Sequence, residues 1–393
     1  MKITSPRSGT LRTNLMNGRE YLSFLPVDLP PNPPVQEDPE MRALLMLANK
    51  ELGYLRTAVE GLSNPENFIK LCVWREALFS SRIEGSRVTL DEMLAPDLEE
   101  NGSKEAVDAF NNVRTVFSSV EALQKRGDAL DLELLRDAHR ALFTRNGAGG
   151  LRPGEFRTEQ NWIGPKGCSL DSASFVPPNP QDMMNGLRAL EDYMHRESDL
   201  DPLLRASLIH YQFETLHPFA DGNGRIGRLL ILLNLLDQGV IDAPYLCPSY
   251  QLNLFRSHYY DALQHIREEG DYETWLKFFL RVIEAAAEDA LTTMVKLDRV
   301  REASVAAVLE NCSGAVRRAK RTAFLEYLEK RPIIEIGRTA KDLGWTFPTA
   351  SKFVKEFVEA GILKETSGRR RNRVFSHETY LKVLRHGLET DDF

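Results

Sequence analysis

The sequence predicts a mostly α-helical protein with one small β-hairpin and a separately organised, basic C-terminal segment. Three observations lead there. Apolar residues recur at three- and four-residue spacings along most of the chain, the mark of helices that bury one face. Short β-prone runs gather at 152–178 around the turn Gly164-Pro165-Lys166-Gly167, which suits a hairpin. Charge divides unevenly: residues 316–393 hold 17 Lys and Arg against 11 Asp and Glu, so this end carries +6 and the remainder −13 within a net −7.

Size and composition set the bounds. A chain of 393 residues, 42% of them apolar, is long enough for two or three domains with their own cores and is not a disordered protein. Cys72, Cys168, Cys247 and Cys312 lie far apart and form neither a Cys-x-x-Cys pair nor a dense disulfide framework, which fits a reducing cytoplasm. Met1-Lys2-Ile3-Thr4-Ser5-Pro6-Arg7 lacks the apolar core of a signal peptide. No run approaches the roughly 20 apolar residues of a membrane span, so no membrane association is expected.

Taken in order, the segment up to Glu37 is proline-rich, and Leu29-Pro30-Pro31-Asn32-Pro33-Pro34 reads as extended chain with little regular structure. A helix then starts at Asp38, with Pro39 at its first position and Met41, Leu44, Leu45, Leu47 and Leu52 on its buried side. A second follows Asn64-Pro65-Glu66 and runs through Phe68, Leu71, Trp74 and Leu78 until Gly85 stops it. Ser80 and Glu84 share one face of it. A carboxylate in a helix's last turn opposes the dipole by up to about 1 kcal/mol, so Glu84 calls for a cationic partner elsewhere.

A polar break at Glu99–Ser103 precedes a helix marked by Val107, Phe110, Val113, Phe117, Val120 and Leu123, ending near Gly127. Another spans Asp131 to Phe143, before Gly147-Ala148-Gly149-Gly150 breaks the pattern. Beyond the hairpin, one helix starts at Pro180-Gln181-Asp182 and another covers Leu203 to Leu216, where His210 reads as a packed histidine without a role. A further helical pair carries Tyr259-Tyr260 and extends to about Ala287.

Between these scaffolds, His217-Pro218-Phe219-Ala220-Asp221-Gly222-Asn223-Gly224-Arg225-Ile226-Gly227-Arg228 concentrates an imidazole, a carboxylate, three glycines and two guanidinia. The apolar run Leu229–Leu236 follows at once, so the cluster is a loop opening a buried helix. Such a helix start offers unpaired N–H groups and partial positive charge, and glycines let an anion approach the backbone: a phosphate cradle. His217, expected to be held extended by Pro218, can take a proton near neutral pH. Asp221 offers a hard oxygen of the kind Mg²⁺ prefers, and Arg225 and Arg228, three apart, could clamp phosphate oxygens. Base, metal ligand and anion clamp together describe phosphoryl or nucleotidyl transfer.

These twelve residues resemble the signature of the Fic family, His-Pro-Phe-x-Asp/Glu-Gly-Asn-Gly-Arg-x-x-Arg, at every defining position. The related Doc toxins, which phosphorylate a protein, carry Lys where this chain has Gly224, so the match favours the nucleotidyl-transferring branch. The resemblance implies a Fic helical core that moves AMP from ATP to a Ser, Thr or Tyr hydroxyl of a protein target, self-modification included. His217 would then be the base, Asp221 the Mg²⁺ ligand, and Gly222, Asn223, Gly224, Arg225, Ile226, Gly227 and Arg228 the nucleotide cradle.

Ser80-x-x-x-Glu84-Gly85 is similar to the family's inhibitory motif in its N-terminal placement, which implies that Glu84 occupies Arg228 and spoils the ATP pose. The 152–178 hairpin resembles the family's flap, which aligns the target segment by strand addition, with Ile163 and Gly164 bordering the nucleotide. The resemblance also implies that Tyr259 and Tyr260 wall the adenine pocket; the residues themselves read as core aromatics.

The tail reads as short helices over Ala323–Leu328, Thr339–Gly344 and Thr346–Ala360, then a basic turn between two short strands. It resembles a winged helix-turn-helix domain, with Thr346, Thr349, Ser351 and Lys352 opening the groove-reading helix and wing residues Arg369, Arg370, Arg371 and Arg373 on phosphates. Such modules also bind protein. The expected domains are an N-terminal extension with the inhibitory helix (1–105), a catalytic domain (106–300) and the winged-helix-like domain (316–393). Two other readings stay open: AMP removal at the same site, and a nucleotide-sensing, DNA-binding regulator. The oligomeric state, a homodimer included, is also open.

Overall fold

The computed structural model describes residues 2–62, 64–96, 98, 102–126, 130–143, 152–165, 167–309, 314–369 and 371–388. Expectations at Glu99–Asn101, Gly127, Gly147–Gly150, Lys166, Cys312 and Arg370 fall outside these residues. The architecture is mostly helical, with two small antiparallel sheets.

The first helix, α1 (Pro39–Glu60), starts as its sequence dictates: Asp38 accepts the Met41 N–H at 2.8 Å and Pro39 fills the first turn. Helix α2 (Pro65–Ile83) has proline in its first turn but no side-chain cap bond from Asn64, and Gly85, at φ +90°, turns the chain away behind Glu84. Then come α3 (Leu90–Leu94), α4 (Lys104–Arg126) and α5 (Leu132–Leu142), the last capped by Asp131 through the Leu134 N–H at 2.7 Å.

At the centre lie α6 (Pro180–His195), α7 (Pro202–Leu216) and α8 (Asn223–Asp237). Residues 203–216 of α7 are buried without exception, so that helix shows no amphipathic stripe: it is a core helix covered on all sides. Helices α9 (Pro248–Leu254), α10 (Arg256–Glu269) and the long α11 (Tyr272–Leu309) complete the body. Among the described residues, no helix is long and apolar enough to cross a membrane.

Two segments depart from the sequence reading. Residues 9–26 are not irregular: β1 (Gly9–Met16) and β2 (Arg19–Pro26) pair in full register around Asn17-Gly18. Both turn residues have positive φ, +51° and +77°, which Asn-Gly supplies cheaply in a two-residue hairpin turn. This local signal outweighs the prolines, which cluster only after residue 25. Conversely, the hairpin expected at 152–178 is reduced to one bridge, Ile163 with Phe175. A 3₁₀ turn at Leu170–Ser172 interrupts alternation, and Pro165, Pro177 and Pro178 have no N–H to extend a ladder. The two departures meet, because the Phe24 N–H of β2 donates to Val176 O at 2.9 Å.

The C-terminal part comprises α12 (Ala315–Lys330), β3 (Ile333–Glu335), α13 (Ile336–Asp342), α14 (Phe347–Glu359), β4 (Lys364–Glu365), β5 (Val374–Ser376) and α15 (Glu378–Leu384). Its sheet order is β3-β5-β4, and Phe324, Phe353 and Phe357 anchor an apolar cluster distinct from the main core. Tyr380, Leu384 and Leu388, by contrast, join the main core. There the end of the chain lies along α2: Arg75 Nη2 donates to His386 O at 3.4 Å and Arg82 Nη2 to Leu388 O at 3.1 Å.

Gly387 makes that docking close. It has φ +77°, and a Cβ there would come within 2.2 Å of the Tyr250 ring, whereas Gly361, at φ +75°, faces open space. Gly361→Ala therefore costs about 1 kcal/mol of backbone strain. Gly387→Ala adds overpacking and costs about 2–4 kcal/mol. Denaturant unfolding of the two variants measures the difference; equal losses would mean the tail is not tightly docked.

Candidate active site

Helix α7 delivers the chain to His217, which still donates its N–H to Phe213 O at 3.0 Å but takes the left-handed conformation, φ +48° and ψ +59°. The extended conformation expected before Pro218 is thus wrong, and the observed one costs of order 1–2 kcal/mol for a residue with a Cβ. Neighbours enforce it. The His217 carbonyl accepts from Arg157 Nε at 2.9 Å and Asn161 Nδ2 at 3.3 Å, and the ring Nδ1 lies 3.3 Å from Glu214 O. A carbonyl only accepts, so Nδ1 carries the proton and Nε2 is left with a lone pair. Burial pushes the imidazole pKa down to about 4, a shift that Arg267 and Arg157 reinforce and the Glu214 carbonyl opposes.

The loop between the two helices is closed by Asn223. Its Oδ1 accepts the Phe219 N–H and its Nδ2 donates to Phe219 O, both at 2.8 Å. The buried side chain of Asn223 is consumed by this staple, so only its backbone can serve a ligand. His139 of α5 secures the loop from below: its Nε2 meets Asp221 O at 3.0 Å, its Nδ1 accepts the Gly154 N–H at 2.8 Å, and its ring stacks on Phe219 at 3.9 Å. Burial lowers its pKa to about 4, in keeping with the neutral ring these bonds require.

Arg228 is buried, with 1% of its side chain exposed, and converges with α2. Its Nε donates to Ser80 Oγ at 2.9 Å, and its Nη2 donates to Ser80 O at 2.8 Å and to Glu84 Oε1 at 2.6 Å. Crowding opposes ionisation of Glu84, but Arg228, helped by Arg225 and His217, holds the carboxyl below its usual value. The Glu84 carboxylate rests on Gly224, where a Cβ would come within 2.2 Å of Oε1. A side chain at 224 would displace it.

Other predicted residues are placed differently from one another. Arg225 diverges from Arg228: its guanidinium stacks 5.2 Å from the Phe143 ring and 3.8 Å from Asp221. Asp221 is 58% exposed, with Oδ1 accepting the Gly222 N–H at 2.6 Å. Ile226 points into the core, and Ile163 and Gly164 sit at the single bridge. Of the tyrosine pair, Tyr259 is buried and bonds His210 Nε2 at 2.9 Å, while Tyr260 is 43% exposed. In the tail, Arg369 and Arg371 are exposed and Arg373 pairs with Glu365 at 2.9 Å.

Several site residues escaped the sequence reading. Arg157 donates to four carbonyls, binding the flap segment to the catalytic loop. His210 fixes Gly227 through its carbonyl at 2.8 Å, and His139 and Glu214 lie beneath the loop. None belongs to a recognisable pattern; each lies on a stretch that reads as core scaffold or surface turn.

The helical fold around the His217–Arg228 loop is of the Fic type, and comparison with known proteins finds that family. Residues 129–235 match the Fic/DOC family profile and residues 42–125 that of the Fic/DOC family N-terminal region. The similarity to that family is carried by these two stretches. It is 29% identical over 180 residues to protein adenylyltransferase fic-1 of Caenorhabditis elegans, covering 45% of this chain and 32% of that one. It is 36% identical over 130 residues to protein adenylyltransferase Fic of Drosophila willistoni, covering 33% and 23%. The chain thus spans less than a third of either relative. A Fic family protein of Desulfovibrio desulfuricans G20 shares the fold at TM-score 0.56 and 20% identity, over 87% of this chain and 97% of that one.

Asn223→Ala strips the buried Phe219 N–H of its partner, whereas Phe219 O keeps a bond from Asn161 Nδ2 at 3.0 Å. A loss of about 1–3 kcal/mol follows from that one unsatisfied donor, read by chemical denaturation. A loss under 0.5 kcal/mol would show that the staple is dispensable.

Proposed function

We propose that the protein transfers AMP from ATP to a Ser, Thr or Tyr hydroxyl of a protein, and that Glu84 restrains it. The observation that carries the reading is the Glu84–Arg228 contact above Gly224, at the mouth of a loop whose His217 has a free Nε2. The named adenylyltransferase relatives support the reaction class.

In the proposed step the target hydroxyl is within reach of His217 Nε2, which removes its proton as the oxygen attacks the α-phosphorus. The new P–O bond forms as the bond to pyrophosphate breaks, and the pyrophosphate leaves with the electron pair. N–H groups at the start of α8 and the guanidinium of Arg228 face the growing charge, a prearranged field rather than one assembled during reaction. Asp221, exposed and with its second oxygen uncommitted to Gly222, fits Mg²⁺, a cation that takes one carboxylate and otherwise phosphate and water. Bound there, the cation would neutralise phosphate charge and polarise the phosphoryl oxygens.

Restraint by Glu84 is reversible on energetic grounds. Breaking a fully buried pair costs ~3–5 kcal/mol, but 42% of the Glu84 side chain is exposed and both Ser80 bonds to Arg228 survive its departure. AMP removal by the same site is the alternative, in which Glu84 would position water. Incubation with a modified target decides the direction.

We further read residues 1–105, 106–300 and 316–393 as the N-terminal, catalytic and winged-helix-like domains, working in the cytoplasm. The separate apolar cluster around Phe324 supports the last, and exposed Lys352, Lys355, Arg369 and Arg371 favour contact with nucleic-acid phosphates.

His217→Ala is expected to abolish incorporation of labelled AMP; full retention would refute the base assignment. Glu84→Gly is expected to raise incorporation at least several-fold, and an unchanged rate would remove Glu84 from regulation. Because His217 stays neutral down to a pKa of about 4, the rate of the Glu84→Gly variant should show no His217-linked loss between pH 8 and 5.5, falling only as the pH nears 4. A drop centred on pH 6.5 would contradict the buried setting of the ring.

A further inference from the structure

Glu214, in the last turn of α7, is a buried carboxyl whose Oε1 has no hydrogen-bond partner among the described residues. It lies against Gly227, where a Cβ would come within 2.1 Å of Oε1. The charged and titratable groups that act on it are Arg228 on α8, Glu84 after α2, and Arg267 and Tyr259 on α10; on its own helix and end, His210 is bonded to Gly227 O and His217 to the Glu214 backbone carbonyl. Burial raises its pKa to about 7, Arg228 and Arg267 opposing the shift and Glu84 adding to it.

Arg267 is already engaged, with its guanidinium 3.9 Å from the Phe175 ring and its Nε directed at Thr215 Oγ1 at 3.3 Å. Glu76, a second carboxyl near Arg228, is committed to the Ser249 N–H at 2.9 Å. When Glu84 leaves, the buried Arg228 charge has lost its counter-ion, and Glu214, beneath the neighbouring residue, is among the described residues a carboxyl with an uncommitted oxygen to balance it.

We propose that Glu214 is a positioning residue that serves as an internal counter-charge for Arg228, ionising when Glu84 withdraws and taking up a proton when a nucleotide phosphate reaches the guanidinium. This rests on the nucleotide-site reading above. One proton passes from solvent to the Glu214 carboxylate for each nucleotide bound, and no other group changes bonding. A phosphate raises the proton affinity of Glu214, so the bound state holds more protons and affinity falls as pH rises. Glu84 acts in the same direction while it is seated, raising the protonated share of Glu214 in the restrained form.

Titration calorimetry of ATP binding to Glu84→Gly and to Glu84→Gly/Glu214→Gln, across pH 6–8.5 and in two buffers of different ionisation heat, tests this. ATP's own titration is common to both proteins and cancels. Expected is a dissociation constant for Glu84→Gly that rises more steeply with pH than the double variant's, by up to about tenfold per pH unit. Proton uptake should likewise be larger in Glu84→Gly, by up to one proton per ATP. Equal slopes and equal proton counts would overturn the proposal alone. No ATP binding by Glu84→Gly would overturn the nucleotide-site reading and this proposal with it. Should the double variant not fold, infrared difference spectra of Glu84→Gly decide: ATP addition should produce a protonated-carboxyl band, and its absence overturns the proposal.

Discussion

A guanidinium buried in a helical core must have its charge and its donors answered, and Arg228 sets that constraint for the whole site. Ser80 answers two of its donor directions from α2, through hydroxyl and carbonyl, and these bonds fix how α2 lies across α8. The third partner, Glu84, stands just past the helix end, where the dipole disfavours a carboxylate and solvent reaches it. A buried partner and a partly exposed one therefore sit four residues apart on one segment. The same packing that stabilises the fold leaves the Glu84 carboxylate partly exposed above Gly224.

The rest of the site is organised to hold one strained residue. His217 keeps a left-handed backbone because its carbonyl is clamped by Arg157 and Asn161 and its ring by Glu214 O, while Asn223 and His139 fix the loop that follows. The cost of the backbone is met by bonds that also set the tautomer. Strain, orientation and protonation state thus share one cause.

How much of this the sequence reveals depends on whether the information is contiguous. The helix start at Asp38, the loop that opens the buried helix at Asn223 and the stop at Gly85 are local signals, and the structure follows them. The Glu84 contact with Arg228 spans 144 positions, yet a short resembling pattern revealed it. By contrast, Arg157, His139, His210 and Glu214 act through backbone atoms or burial, which leave no spacing to read. The N-terminal hairpin went unread for another reason: its Asn-Gly turn signal was overshadowed by the prolines that follow it. The divergence of Arg225 from Arg228 shows the limit of spacing arguments, since Phe143 and Asp221 draw one guanidinium away.

The bond from Phe24 to Val176 gives the first hairpin an architectural office. With Phe24 packed edge-on against Phe175 at 5.9 Å and Tyr21 bonded to Gln160 at 3.0 Å, β1 and β2 form a buttress behind the segment that roofs the loop. A tag or partner pulling on residues before Gly9 would load that buttress directly. Residues 9–26 thus connect, through Phe175 and Val176, to the segment that Arg157 and Asn161 tie to the His217 loop, although some two hundred residues lie between hairpin and loop.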